Sequence, residues 1–298
     1  PSSPLDAICR LSSYFSSSNS DAVIVNCWPL HFYALIARYF SRRHTCIIPV
    51  EHYSLQGSSQ SFGYIKGYVF FATLFVSYLC SDKGVAISQT LYNSLRRIGI
   101  PASKLELIPN PIAPDIRSVP TRSPFSVSKA DYCVRILMAG TLCDRKDYPL
   151  AFEVFSLLAF KYSINFHVTI AGDGPLKHQL ECLSKSLGLS SIISFVGGVD
   201  DMASLYQVTD IFFLTSRNEG LPSVLIEALT YGITVVSVDC PDGPREILGD
   251  SYPYLVSSRD VAHLASSLYD ACIMPFPSDQ CQSIAKKYDI TERSADYF

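Results

Sequence analysis

The sequence predicts an α/β protein with two doubly wound parallel-sheet domains, and three observations support that fold class. Short β-branched runs alternate with longer helical patterns along the whole 298-residue chain, which is typical of βαβ units and parallel sheets. A proline-rich stretch separates two sets of such units. With 48% hydrophobic and 17% charged residues, the chain can also bury two separate cores.

The candidate strands are short runs rich in Val, Ile and Leu. Four lie in the first half, at 22–26, 45–50, 84–88 and 104–108. Five lie in the second half, at 134–139, 166–171, 192–196, 210–214 and 233–238. Ligands of doubly wound sheets bind at the carboxyl ends of the strands. We therefore expect the functional residues in the loops that follow these strands.

The stretch 109–131 contains five prolines among Ser and Thr and has no hydrophobic period. Such a composition is typical of a linker between domains. The predicted organisation is a first domain at 1–112, a linker at 113–131 and a second domain at 132–298. Two doubly wound domains joined in this way would face each other across a cleft.

Composition excludes several classes of protein. A net charge of −3 without a dense Lys/Arg run argues against nucleic-acid binding, because the phosphates would demand a basic surface. The ten cysteines are at least nine residues apart, so neither a zinc knuckle nor a Cys-x-x-Cys pair can be drawn. Reduced thiols in a cytoplasmic protein are the simpler interpretation. The start of the chain also lacks the pattern of a signal peptide.

The most hydrophobic segment is YIKGYVFFATLFVSYLC at 64–80. Lys66 and Gly67 interrupt it, and the remaining apolar run is shorter than a membrane span requires. We expect a buried or interfacial helix. Its aromatic content permits shallow, peripheral contact with a membrane.

The densest site signal is RNEGLPSVLIEALTYG at 217–232, directly after a predicted strand. Gly220 permits a tight turn and Pro222 suits the first turn of a helix. Glu219 then lies just before the start of a helix, and the free backbone N–H groups at that start can bind a phosphate. Glu227 lies about two turns later in the helix. From spacing alone, Glu219 could equally cap the helix and Glu227 could be an exposed carboxylate.

The whole string resembles the E-x7-E motif of the retaining GT-B glycosyltransferases called family 4, or glycosyl transferases group 1. Members of that family have two Rossmann-like domains, the first on the acceptor side and the second binding the nucleotide-sugar donor. The resemblance implies that Glu219 contacts the transferred sugar. It also implies that the amides of Gly220 and Leu221 hold the donor phosphates and that Glu227 binds the ribose.

A second match is RILMAGTLCDRKD at 135–147, which resembles the first strand and loop of the family's donor domain. In that loop a lysine neutralises the donor diphosphate, and here it would be Lys146. Thr141 stands where the family commonly has an arginine. Arg145 in the same loop could replace that phosphate contact.

Two further segments match the donor domain. FHVTIAGDGPL at 166–176 resembles the strand and glycine-rich turn, where Gly172 and Gly174 would allow backbone conformations closed to other residues. FVGG at 195–198 resembles the stretch whose main chain holds the nucleotide base. The resemblance assigns that role to Val196 and Gly197.

In the first half, 85–111 resembles the last strand, helix and strand of the acceptor domain. His52 follows a predicted strand where the family places a histidine near the donor sugar and diphosphate, although a polar loop histidine is an equal alternative. The family's acceptor domain opens with a strand and a glycine-rich loop that have no counterpart in this sequence. We therefore expect a fragment with an incomplete N-terminal domain.

The resemblance implies transfer of a hexose or N-acetylhexosamine from a nucleotide sugar, expected to be UDP-linked, to a glycan or lipid-linked glycan. It implies retention at the anomeric carbon and no cofactor or metal, since no Asp-x-Asp pair is present. Glu219, Lys146 and His52 are the catalytic candidates. The alternatives are a non-catalytic nucleotide-sugar-binding protein and a GT-B nucleotide-sugar 2-epimerase.

Overall fold

The computed structural model describes residues 3–41, 45–52, 55, 64–110, 119, 132–162 and 164–289. The chain divides into two compact units, Pro1–Asn110 and Pro111–Phe298, here called unit 1 and unit 2. The boundaries at 112 and 131 stay a prediction, because most of the linker lies outside the described residues.

Unit 1 contains a parallel sheet in the order β1-β2-β3-β4. Its strands are β1 (Ala22–Asn26), β2 (Cys46–Glu51), β3 (Gly84–Ala86) and β4 (Leu105–Leu107). Its helices are α1 (Pro4–Ser17), α2 (Leu30–Phe40), α3 (Tyr64–Cys80) and α4 (Gln89–Arg97). Ser88 caps α4 by accepting a hydrogen bond from the Leu91 N–H at 3.1 Å.

One core of unit 1 lies where α1 packs on α2 and α2 packs on the first two strands. Helix α1 contributes Phe15, α2 contributes Ala34 and Ala37, and the strands contribute Val25 and Ile47. Among the described residues, no helix is both long and apolar enough to cross a membrane.

Unit 2 contains a second parallel sheet, in the order β10-β9-β8-β5-β6-β7. Its strands are β5 (Val134–Ala139), β6 (Phe166–Ala171), β7 (Ile193–Gly197), β8 (Ile211–Leu214), β9 (Thr234–Val238) and β10 (Leu255–Val256). Its helices are α5 (Tyr148–Lys161), α6 (Lys177–Ser186), α7 (Met202–Val208), α8 (Ser223–Thr230), α9 (Pro244–Leu248), α10 (Val261–Ile273) and α11 (Ser278–Ala285).

The strand order of unit 2 reverses between β5 and β8, because the chain adds β6 and β7 on one side of β5 and then β8, β9 and β10 on the other side. Parallel sheets with such a reversal form a crevice outside the carboxyl ends of the two strands. The loops after β5 and β8 are therefore the natural location of a ligand site.

The predicted α/β class with two parallel sheets is confirmed, and all nine predicted strands are present with ends shifted by at most two residues. The sequence missed β10, because a two-residue strand has too few residues to show a period. The predicted helix at 64–80 is α3.

Candidate active site

The loops after β5 and β8 bring Lys146 and Glu219 together. The Lys146 Nζ lies 2.7 Å from Glu219 Oε1, and the Arg145 Nη1 lies 2.6 Å from Glu219 Oε2. The Ser216 hydroxyl donates to Oε1 at 2.6 Å. Glu219 is 5% exposed and Lys146 is 8% exposed, so the pair is almost dry. The structure thus brings Glu219 to Lys146 and Arg145, which lie 73 and 74 positions before it in the sequence.

Burial and ion pairing act in opposite directions on Glu219. Burial alone raises the pKa of its carboxyl, but Lys146, Arg145 and the Ser216 hydroxyl outweigh burial and hold that pKa below its ordinary value. Glu219 is therefore an anion at neutral pH. It does not cap helix α8, the alternative that spacing left open.

Two glycines allow close packing beside the site, Gly140 against the Lys146 side chain and Gly172 against the backbone of Gly140. A Cβ on Gly140, where φ is +141°, would lie 2.7 Å from the Lys146 Cε. A Cβ on Gly172, where φ is +143°, would lie 2.0 Å from the Gly140 carbonyl oxygen. Both values are closer than real Cβ contacts, so neither position accepts a side chain. The conformation predicted for Gly172 is confirmed, but Gly174 does not have a positive φ. Gly174 instead allows close packing, because a Cβ there would lie 2.5 Å from the Leu142 carbonyl oxygen.

A second ionic group joins the same loops. Arg259 and Arg217 both pair with Asp147, the residue that precedes α5. Arg259 also donates to the carbonyl oxygens of Thr215 at 3.0 Å and Ser216 at 2.9 Å. The Thr215 hydroxyl donates to the Lys146 carbonyl oxygen at 3.0 Å. These bonds fix the backbone that carries Lys146.

Sequence reasoning missed this group, because Asp147 and Arg259 lie 112 positions apart and have no motif. In the described part of the chain, the two ionic groups together hold four cationic side chains and two carboxylates. The excess positive charge at the crevice suits a ligand with several negative charges, such as a diphosphate.

Helix α8 begins one residue later than predicted. Pro222 is its N-cap and Ser223 its first residue, so Pro222 does not lie in the first helical turn. The chain bends at Gly220 and Leu221, both buried. Gly243, in the loop after β9, packs against this bend, because a Cβ there would lie 2.9 Å from the Gly220 carbonyl oxygen. The bend is thus supported from the neighbouring strand.

The spacing of Val224, Leu225, Ala228 and Leu229 predicts a narrow core-facing stripe, but the buried face of α8 is wider than that stripe. Val224 is only half-buried, whereas Ile226 and Thr230 are buried beside Leu225, Ala228 and Leu229. The reason is that α8 is covered on two sides, by the sheet and by α11.

Glu227 is half-buried on α8 and is not the exposed carboxylate that spacing allowed. Its Oε2 accepts a hydrogen bond from the Tyr206 hydroxyl at 2.8 Å. Burial raises the pKa of Glu227, and hydrogen bonds from Tyr206 and Ser223 oppose that rise. A carboxylate with remaining acceptor capacity can bind hydroxyl groups.

Val196 and Gly197 lie at the end of β7, beside the glycine turn after β6. The register of β6 and β7 shifts there, so that Ala171 pairs with Gly197 and Val196 is the extra residue. Val196 is 45% exposed. The Gly172 N–H donates to the Gly197 carbonyl oxygen at 2.7 Å, which occupies one of the main-chain groups considered for the base.

His52 belongs to unit 1 and is described within it. Its Nε2 lies 2.9 Å from Asn26 Oδ1, and its Nδ1 lies 3.3 Å from Asn110 Nδ2. These partners require Nε2 to donate and Nδ1 to accept, so the ring is neutral. Burial lowers the pKa of His52, which agrees with that state. The backbone N–H of His52 donates to the buried carboxylate of Glu51 at 3.3 Å.

Within the ranges that the structure describes, no three His, Cys, Asp or Glu side chains lie close enough to hold a metal ion. The adjacent Asp200 and Asp201 stand at the start of α7, where the Asp201 side chain accepts from the Ala203 N–H at 3.1 Å. That bond is the helix cap expected for an aspartate in this position.

Known families match both units. Residues 123–288 match the family described as glycosyl transferases group 1, and residues 1–116 match glycosyltransferase family 4.

Two relatives with described activities align over parts of the chain. Over 134 residues it is 32% identical to the GalNAc-alpha-(1->4)-GalNAc-alpha-(1->3)-diNAcBac-PP-undecaprenol alpha-1,4-N-acetyl-D-galactosaminyltransferase of Campylobacter jejuni, covering 45% of this chain and 37% of that protein. Over 250 residues it is 24% identical to the lipopolysaccharide 1,6-galactosyltransferase of Salmonella typhimurium, covering 81% and 62%. The chain thus spans less than two thirds of the length of these relatives.

Solved structures resemble the whole chain. The lipopolysaccharide outer core galactosyltransferase WaaB superposes with a TM-score of 0.70 at 21% identity, covering 99% of this chain and 78% of that one. Anabaena HepE in complex with UDP and glucose superposes with a TM-score of 0.75 at 19% identity, covering 99% and 79%. These likenesses show the GT-B fold. The match to glycosyl transferases group 1, at residues 123–288, spans more than half of this chain. The chain therefore belongs to the glycosyl transferases group 1 family.

Proposed function

We propose that this chain is part of a glycosyltransferase that moves a hexose or N-acetylhexosamine from a UDP-sugar to a hydroxyl of a glycan or lipid-linked glycan, with retention at the anomeric carbon. The observation that carries the proposal is the contact of Glu219 with Lys146 and Arg145 at the strand-order reversal. Family membership supports glycosyl transfer. The UDP complex of HepE and the undecaprenol-linked substrate in the Campylobacter relative's name support the donor and acceptor classes.

In this proposal the leaving group is stabilised by charges and dipoles already in place. Lys146 and Arg145 neutralise the departing diphosphate, and the N–H groups of Gly220 and Leu221 donate to it. Glu219 contacts the sugar and keeps the two cations in position. Glu227 accepts hydrogen bonds from the ribose, while Val196 and Gly197 border the base.

We also propose that transfer requires no divalent metal. Bridging a diphosphate with Mg²⁺ or Mn²⁺ uses oxygen ligands close to the phosphates. Here Lys146 and Arg145 would supply the compensating charge. Activity that is lost in EDTA and returns with Mn²⁺ would contradict this part of the proposal.

A further part of the proposal is peripheral contact of unit 1 with the cytoplasmic face of a membrane. Helix α3 exposes Tyr68, Val69 and Val76, and interfacial helices bury such residues at the level of the lipid headgroups. Co-sedimentation with anionic vesicles should fall when Tyr68 and Val69 are both changed to serine. Equal co-sedimentation of the two forms would remove this surface from the proposal.

The direct test is an assay of nucleotide release and sugar transfer with a panel of UDP-sugars and polyprenyl-diphosphate glycans. Lys146→Ala should abolish both readouts, whereas Lys185→Ala, which changes an exposed lysine on α6, should retain them. Donor binding without release or transfer would favour a non-catalytic binding protein. Release with formation of a 2-epimeric sugar and no transfer would favour an epimerase.

A further inference from the structure

Helix α7 places one buried tyrosine against the carboxylate of Glu227. The Tyr206 hydroxyl donates to Glu227 Oε2 at 2.8 Å. Its ring stacks on Tyr231, with centroids 5.3 Å apart and an angle of 26° between the planes. Tyr206 is 1% exposed, so neither contact competes with bulk water.

The two contacts of Tyr206 lie on the same face of one helix end. Tyr231 follows Glu227 by four residues, and its N–H donates to the Glu227 carbonyl oxygen at 3.2 Å. Residues four apart are neighbours on a helix surface. The stacked ring therefore sets the direction of the Tyr206 hydroxyl, and the hydroxyl sets the position of the Glu227 carboxylate.

This arrangement leaves Glu227 ordered and still able to accept. A carboxylate offers about four acceptor positions on its two oxygens. Tyr206 uses one of those on Oε2, and the Ser223 side chain uses another. A side chain that is already ordered loses less conformational entropy when a ligand binds.

We propose that Tyr206 is a positioning residue for Glu227, and that it holds the carboxylate where the ribose hydroxyls of the nucleotide donor bind. The inference rests on the proposed function, which assigns the ribose contact to Glu227. Tyr206 itself touches no part of the donor. Its effect should therefore depend on the ribose hydroxyls and on Glu227.

Calorimetry with UDP and with 2′,3′-dideoxy-UDP on the 298-residue chain tests this dependence. Tyr206→Phe should weaken UDP binding about tenfold, the lower end expected for loss of a charged hydrogen bond. It should leave the affinity for dideoxy-UDP within about twofold, since that ligand lacks the hydroxyls. In turnover, KM for the UDP-sugar should rise while kcat changes little.

A matched control is Tyr254→Phe. That tyrosine is also buried in unit 2, and its hydroxyl donates to the Met274 carbonyl oxygen at the end of α10. Its removal should leave the preference for UDP over dideoxy-UDP unchanged. In a Glu227→Gln background, Tyr206→Phe should cause no further loss of that preference.

Three results would overturn the inference. Tyr206→Phe could weaken both ligands equally, which indicates a structural role only. Tyr206→Phe could also keep the wild-type preference for UDP over dideoxy-UDP while Glu227→Gln loses it. In that case Glu227 would bind the ribose without help from Tyr206. If Tyr206→Phe does not fold, Tyr231→Leu removes the stacking ring instead, and an unchanged preference in that variant overturns the inference. A wild-type preference retained in Glu227→Gln would instead refute the ribose contact in the proposed function.

Discussion

The carboxyl edges of the two sheets carry opposite kinds of chemistry. In unit 2 that edge is ionic, with Glu219 held between Lys146 and Arg145. In unit 1 the corresponding edge holds a neutral imidazole, with His52 between the side-chain amides of Asn26 and Asn110 and beside the buried carboxylate of Glu51. Both edges lie at the carboxyl ends of parallel strands, so the fold alone does not determine the charge of the side chains there.

The difference assigns separate tasks to the two units. A dry cluster with excess positive charge can stabilise a leaving diphosphate, and only unit 2 has such a cluster among the described residues. A neutral imidazole with an amide on each nitrogen supplies no net charge but can exchange hydrogen bonds with hydroxyl groups. We therefore expect ionic changes in unit 2 to cost more activity than polar changes in unit 1.

Among the changes that compare the two edges, Glu219→Gln should have the largest effect. It removes the anion that holds Lys146 and Arg145 and that is proposed to contact the sugar, so kcat should fall about 10²–10³-fold. UDP affinity should not fall, because both cations remain. Glu153→Gln is the control, since it changes an exposed carboxylate on α5. Turnover by Glu219→Gln equal to that of the control would remove the distinction between the two edges.

Acid should affect unit 1 through His31, which burial keeps neutral with a pKa lowered from 6.5 to about 4. The unfolded chain binds a proton at higher pH than the folded one, so stability falls as pH drops from 6.5 towards 4. The loss should approach about 3 kcal/mol. Trp28, the only tryptophan, reports on unit 1 by fluorescence in denaturant titrations.

The control for the acid effect is His31→Gln, which cannot titrate. Its free energy of unfolding should be lower than that of the wild type at neutral pH, and the gap should narrow at pH 4. A gap that is constant between pH 7 and pH 4 would show that His31 does not cause the acid sensitivity.

Within unit 2, Glu227→Ala should weaken UDP binding by about 1.5–3 kcal/mol, the range for a hydrogen bond to a charged group. Calorimetry of the variant beside Glu153→Ala measures it. Equal UDP affinity in wild type and Glu227→Ala would leave the ribose without its proposed partner and would confine the site to the cluster around Glu219.

The smallest effect expected is in unit 1. Asn110→Ala removes one amide partner of His52 and should lower kcat/KM about fivefold, a loss of about 1 kcal/mol. Asn93→Ala, which changes an exposed asparagine on α4, serves as the control. A loss from Asn110→Ala as large as that from Glu219→Gln would show that the edge of unit 1 matters as much for activity as the ionic cluster of unit 2.

Local patterns predicted the strands and the helix after Glu219, because β-branched runs and glycine or proline breaks depend on neighbouring residues only. Local patterns did not reveal which residues pair with Glu219, because those pairs depend on which strands of unit 2 lie side by side. The resemblance named Lys146 for the diphosphate, but its ion pair with Glu219 and the links of Asp147 to Arg217 and Arg259 needed the strand order. Tyr206 carried no motif at all, since a buried tyrosine in sequence resembles any core residue.

The central claim is that Lys146 and its neighbours hold the nucleotide diphosphate without a metal. The most direct measurement is calorimetry of UDP and of uridine in EDTA, on the wild-type chain and on Lys146→Ala. We expect wild type to bind UDP at least tenfold more tightly than uridine, and Lys146→Ala to lose most of that preference while binding uridine as before. A preference that is unchanged in Lys146→Ala, or that exists only with Mn²⁺ present, would contradict the claim.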